Sequence, residues 1–333
     1  MKQAVPKALL CALLMLTFVC AVRAADPIND ISEGRPITDP QELRYWLANM
    51  NAHHFTAEEV GLSLGLSTNA AGALIDSSHS DAEFAATSFD PPNAGQIVVL
   101  PYPGGRHPRI GFLEGAVRPQ RETKISVFAP WQDGGYLVVD LPEAVWHHQD
   151  GKRQLLYLAH THVPTIWDKQ GVRLPRQEWD RDAKTGLSLT REFPNKVAMT
   201  SRAKVADGGV RLEFRVTNHS TAPLTGLHIQ MCGMLKGLTG FAEQTNDNKV
   251  FSAPFATCRN SRGNRWVVLG FDHCVRAWGN ARCPCLHADP QVPDCAPGET
   301  QIVHGWVSFF EGEEIAGELQ RLEKVAFEPM LDP

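Results

Sequence analysis

His160-Thr161-His162 places two imidazoles two residues apart, at the end of a strand-like apolar run. Residues two apart on a strand face the same side. Both rings can therefore meet one substrate, as carriers of protons, or one divalent metal ion. Two histidines are only half a zinc site, because zinc takes three or four ligands. His287, Asp289 and His147 are the candidates for a third. The structural alternative is one buried, hydrogen-bonded His and one surface His.

Three further segments carry chemistry. Gln244-Thr245-Asn246-Asp247-Asn248-Lys249 packs amides, a carboxylate and an ammonium into six residues. Planar amides both donate and accept and an ammonium donates, so Gln244, Asn246, Asn248 and Lys249 suit the hydroxyls of a sugar. An Asx-rich turn between strands uses the same residues. In Arg276-Ala277-Trp278-Gly279-Asn280, Trp278 can stack on a sugar face, and Arg276 can grip a carboxylate in bidentate form. Alternatively, Trp278 covers a sheet edge and Arg276 joins an ordinary ion pair. Cys283-Pro284-Cys285-Leu286-His287 fits neither the usual zinc spacing nor Cys-x-x-Cys. The expectation there is a disulfide-stapled loop from 274 to 295 that holds His287 and Asp289 still. No nucleophile elbow, phosphate loop or dinucleotide fingerprint occurs.

The elements that must position these residues are mostly strands. From residue 96 the apolar period is two, with strands expected at 96–101, 109–112, 124–129, 135–141, 155–160, 187–193, 197–205, 210–217, 226–234, 265–271 and 301–310. Gly/Pro/Asp turns separate them, as in an all-β sandwich or barrel. A helix over 313–324 closes the chain. Residues 25–95 differ. Asp39-Pro40 and Thr56 open two helices with capping signals, and a third follows Ser67. His53 and His54 are expected to face solvent in the connecting turn. Residues 78–95, rich in Ser, Asp, Ala, Pro and Asn, read as a linker. The fold class is a large antiparallel β-sandwich with a small N-terminal helical segment and a C-terminal helix.

One expected hairpin joins Val210-Arg211-Leu212-Glu213-Phe214-Arg215-Val216-Thr217-Asn218, through His219 to Thr225, to a strand over 227–231. This hairpin, with the strand order over about 96–312, resembles the galactose mutarotase-like supersandwich found in carbohydrate-active proteins. The resemblance implies a supersandwich and a sugar ligand. It does not carry over the family's catalytic His and Glu residue by residue.

The start of the chain reads as a secretory signal: Lys2 and Lys7, an apolar run over 8–19, then Val22 and Ala24 before a cleavage point. Cys20 offers a lipoprotein alternative. The domain boundaries are thus 1–24, 25–95 and 96–333. Export makes the protein secreted or periplasmic, with no stable membrane insertion. The formal charge is −5 and no basic run is present, which argues against nucleic acid. Cys232, Cys258, Cys274, Cys283, Cys285 and Cys295 remain after cleavage, and an oxidising compartment favours pairing them. The function expected is an exported carbohydrate-active or carbohydrate-binding protein, as an enzyme a hydrolase, lyase or epimerase. His160 and His162 would be catalytic; Gln244, Asn246, Asn248, Lys249, Arg276, Trp278, His287 and Asp289 would hold substrate; no cofactor is expected. The alternatives are a metal-dependent enzyme built on His160 and His162, and a non-catalytic surface or adhesion module.

Overall fold

The computed structural model describes residues 34–35, 37–78, 95–104, 122–160, 163–182 and 186–330. The expected signal segment, most of the expected linker and the strand expected at 109–112 lie outside the described residues, as does His162. Among the described residues, fifteen strands form two antiparallel sheets. The first sheet contains β1 (Val98–Pro101), β2 (Lys124–Phe128), β3 (Tyr136–Gln149), β9 (Thr225–Met234), β14 (Cys285–Pro290) and β13 (Cys274–Trp278), in that lateral order, with β4 (Lys152–Leu158) also on β3. The second runs β10 (Lys249–Ser252), β11 (Phe255–Arg259), β12 (Arg265–Phe271), β15 (Thr300–Glu311), β8 (Gly209–Asn218), β7 (Val197–Ala206), β6 (Gly186–Glu192) and β5 (Asp180–Asp182).

Alternation along the strands decides which side chains fill the space between the sheets. Ile125, Val127, Leu137, Val139, Met231, Leu286 and Ala288 point inward from the first sheet and meet Leu212, Phe214, Val267, Leu269 and Val307 of the second. The even-numbered neighbours on β2, β3 and β9, and the odd-numbered ones on β14, therefore face outward. On the second sheet one part of the outward face is apolar. Phe255, Trp266, Val268 and Trp306 are covered by the C-terminal helix (Ala316–Leu322) through Leu319 and Leu322. The expected helix over 313–324 thus forms over a shorter span.

The outward face of the first sheet is partly covered by the N-terminal helices α1 (Pro40–Ala52), α2 (Ala57–Leu64) and α3 (Thr68–Ser78). Asp39 caps α1 by accepting from Gln41, and a Thr56–Glu59 capping box opens α2. His53 is wholly buried, not solvent-facing as its turn position suggests. Its Nδ1 lies 2.7 Å from the Asn49 carbonyl and its Nε2 2.7 Å from Ser126 Oγ. Asn49 donates to the Pro101 carbonyl, and Arg35 reaches Pro103 and Glu178. His54 is exposed. Among the described residues, no helix is long and apolar enough to cross a membrane.

Two sequence expectations are corrected. The segment over 210–231 is not a hairpin: β8 pairs with β7 and β15 in the second sheet, whereas β9 pairs with β3 and β14 in the first. The link is a crossover between sheets. Asn218 fixes it by donating to the Ala222 and Cys295 carbonyls and accepting from Ser220. The stretch from 274 to 295 is not a stapled irregular loop but contains the antiparallel pair β13–β14, and no disulfide joins the six cysteines. Ladder hydrogen bonds do the holding expected of the staples.

Candidate functional site

A single row of polar side chains crosses the outward face of the first sheet. Lys124 on β2 stands opposite Asp140 on β3, Asp140 opposite Cys232 on β9, Cys232 opposite His287 on β14, and His287 opposite Trp278 on β13. Directly opposed residues in an antiparallel sheet sit about 5 Å apart, so five strands each contribute one side chain to a continuous line. Outward residues of a sandwich are ordinarily wet. Here Lys124, Asp140, Cys232 and His287 are all buried.

Two further groups enter from an irregularity. The β3–β9 register shifts between Asp140 and Ala144, with four residues of β3 spanning two of β9. A regular strand would aim Asp140 and Glu143 at opposite faces; a bulge re-aims side chains and brings both carboxylates to one imidazole. His160 follows β4, where Ala159 N–H donates to the Glu143 carbonyl. Its Nε2 lies 3.1 Å from Asp140 Oδ2 and 3.1 Å from Glu143 Oε1. Lys124 Nζ pairs with the other Asp140 oxygen. Glu143 Oε2 in turn faces His287 Nδ1 at 3.4 Å, and Asp289 Oδ1 lies 4.0 Å from the same nitrogen.

The charges in this row oppose burial and win. Burial penalises an ionised Asp140, but Lys124 and His160 overcome it and hold its carboxyl below the ordinary carboxylate range. Burial and the Lys124 charge disfavour a protonated His160, yet Asp140 and Glu143 raise its affinity for a proton. His287 is likewise raised against burial, by Cys285, Glu143 and Asp289. Asp289 is pushed up to about 6 by burial, which His287 and the Trp278 and Met231 N–H donors only partly offset. The result is a proton-rich pair of histidines tied to three carboxylates.

The structure distributes the other expected residues unevenly. Trp278 stacks on His287 with centroids 3.9 Å apart and donates from its indole nitrogen to Asp289 at 2.7 Å. The Arg276 guanidinium lies 4.2 Å from the centroid of the same ring. Trp278 is therefore tied into the row by protein groups, and Arg276 is exposed beside it. The 244–249 turn connects to this edge through Asn246, which donates to the Gly279 carbonyl. Within the turn the bonds are local: Lys249 donates to the Thr245 carbonyl, Asn248 to Glu243, and Asp247 N–H to Thr245. Gln244 is exposed. His147 lies further along β3 opposite Gln154. The loops around 160, 246, 278 and 287 thus form one contiguous chain of contacts. A separate cleft of about 350 Å³ lies over the turn from Phe128 to Tyr136, lined also by His54, Asp133 and Lys236.

Sequence reasoning missed Lys124, Asp140, Glu143 and Cys232 as members of the site. The available signal was a lone carboxylate inside the apolar run Leu137-Val138-Val139-Asp140-Leu141, which alternation alone assigns to a solvated face.

The fold and the row define a two-sheet antiparallel β-sandwich with a buried acid–base cluster on one outward face. No family model matches the sequence, and no curated protein matches it. Among solved structures, the chain is similar to a protein described as a kojibiose phosphorylase from the human microbiome, at 7% identity and TM-score 0.33, covering 58% of this chain and 25% of that one. It is similar to a polysaccharide lyase at 11% identity and TM-score 0.37, covering 61% and 32%. The Slr1438 protein of Synechocystis aligns at 11% identity and TM-score 0.33, covering 56% and 87%. The chain therefore spans about a quarter and a third of the lengths of the phosphorylase and the lyase.

Proposed function

We propose that this chain is an exported, carbohydrate-active enzyme whose chemistry is proton transfer, with His160 as the acid and Glu143 as the base. The observation that carries the reading is the His160 imidazole held 3.1 Å from two carboxylates on a buried sheet face. Proton-holding groups matched in this way serve general acid–base catalysis. Glu143 keeps slight exposure, at 8% of its side chain, whereas Asp140 has none. Glu143 is accordingly the carboxylate that meets a substrate proton. Asp140, fixed by Lys124, is a positioning residue that keeps His160 charged and oriented.

The same geometry narrows the reaction. A glycosidase that uses two carboxylates needs the scissile bond between them, with the carboxyls separated by about 5 to 10 Å. Here an imidazole of the protein occupies the space between Asp140 and Glu143. Proton abstraction and return, as in a lyase or epimerase, suits the cluster better than hydrolysis. A sugar is the favoured substrate class because the amide-rich 244–249 turn and Arg276 adjoin the row, joined by the Asn246–Gly279 contact.

The test is turnover by the purified chain on neutral and uronic-acid oligosaccharides in D₂O, followed by NMR. A lyase gives an unsaturated product and an epimerase gives deuterium at a sugar carbon. His160→Asn is expected to lower either rate by about 10²–10⁴-fold while the fold is kept. Absence of both turnover and glycan binding would sink this reading in favour of a non-catalytic surface module. New reducing ends with neither an unsaturated product nor exchange would overturn the assignment to proton abstraction.

A further inference from the structure

We infer that Cys232, Cys285 and His287 form a binding site for a thiophilic, tetrahedral metal ion, with Zn²⁺ as the ion that fits best. The inference does not depend on the enzymatic reading above. Two thiols and one imidazole nitrogen, all buried, lie within 4.8 Å of one another. The elements explain why. Cys285 and His287 are two apart on β14, so the strand aims both at the same face. Cys232 stands directly opposite His287 on the paired strand β9. The three donors thus come from one small patch of ladder whose backbone is hydrogen-bonded, and the site is rigid before any ion arrives.

The Cys285–His287 spacing matches zinc. With Zn–S near 2.3 Å and Zn–N near 2.0 Å, neighbouring ligand atoms of a tetrahedron are about 3.5 Å apart. Cys285 Sγ lies 3.4 Å from His287 Nε2. The other ring nitrogen, Nδ1, faces Glu143 Oε2 at 3.4 Å, with neither atom in a hydrogen bond of good geometry. A metal-binding histidine ordinarily presents its second N–H to a carboxylate, which fixes the tautomer. Glu143 stands where that carboxylate belongs. Cys283, buried beside Cys285 and hydrogen-bonded to it, is the nearest group for the fourth position. Thiolate is the form that binds metal.

Cobalt(II) is a spectroscopic stand-in for zinc, and the full chain with reduced thiols is the sample. The expected result is one Co²⁺ per chain, with thiolate charge-transfer bands and strong tetrahedral visible bands, displaced by one equivalent of Zn²⁺. Cys232→Ser and His287→Gln should each weaken cobalt binding at least 100-fold. Glu143→Gln should weaken it about 10–100-fold. Cys258→Ser, on the second sheet, should leave it unchanged. Should the ligand variants fail to fold, the wild-type titration still decides. Weak octahedral spectra, no binding, or peptide mapping that finds Cys232 and Cys285 joined as a disulfide in the native protein would each overturn the site.

Discussion

Lys124 and Asp140 illustrate what burial does to a charge. Neither has appreciable access to water, so each depends on the other and on His160. Removing one partner of such a pair costs about 3–5 kcal/mol, because the remaining charge stays buried, whereas replacing both with apolar groups is far milder. Lys124→Met is therefore expected to lose that much in urea unfolding, and Lys124→Met with Asp140→Leu to recover most of it. The pH profile follows from the same groups. The lowered Asp140 contributes stability that is present above the unfolded carboxylate value, near 4, and lost as pH falls through its folded value. The raised His160 contributes stability that is full below about 6.5 and lost as pH rises through its folded value. Melting temperature should thus decline at both ends, and His160→Asn should flatten the alkaline decline. Catalysis that needs a protonated His160 should fall along that same alkaline limb.

Among the elements, the β2–β3 connection sets the register that lines up the polar row. Gly135 adopts φ +73° there, and a Cβ on it would sit 2.1 Å from the Gly237 carbonyl oxygen. That oxygen accepts from Tyr136 N–H, so the contact is also a backbone hydrogen bond of an isolated bridge. Gly135→Ala combines a left-handed backbone with a clash, and should destabilise by about 2 kcal/mol or more, measured as a fall in melting temperature. The β3 bulge after Asp140 has the opposite role. It breaks alternation once so that Glu143 joins Asp140 at His160, at the expense of regular pairing to β9.

At the scale of the whole molecule, helices cover parts of both outward faces, and the coverings differ in kind. The C-terminal helix seals an apolar patch. The N-terminal helices dock with polar anchors: His53 on Ser126, Asn49 on Pro101, Arg35 on Glu178 and Pro103. Both ring nitrogens of His53 have partners, so His53→Ala leaves Ser126 buried without one. The expected loss is about 1–3 kcal/mol, with protease cleavage of the helical segment quickened before that of the sandwich. Uniform loss of both parts in one step would instead mean that the helices and the sheets unfold as a unit.

The sequence by itself determined most of the strands, the capped helices and the sandwich class, because those follow from alternation and from local turn and capping chemistry. It also singled out His160, His287 and Asp289, whose types carry chemistry wherever they fall. Tertiary structure alone decided that Lys124, Asp140, Cys232, His287 and Trp278 stand in one line. Register between strands far apart in the chain is set by packing of the opposite, apolar face, and no local pattern encodes it. The Cys-x-Cys-x-His run shows the same limit. Its spacing is foreign to the looped knuckles of familiar metal motifs, but β14 puts Cys285 and His287 on one side, and a further donor, Cys232, stands on a strand more than fifty residues away.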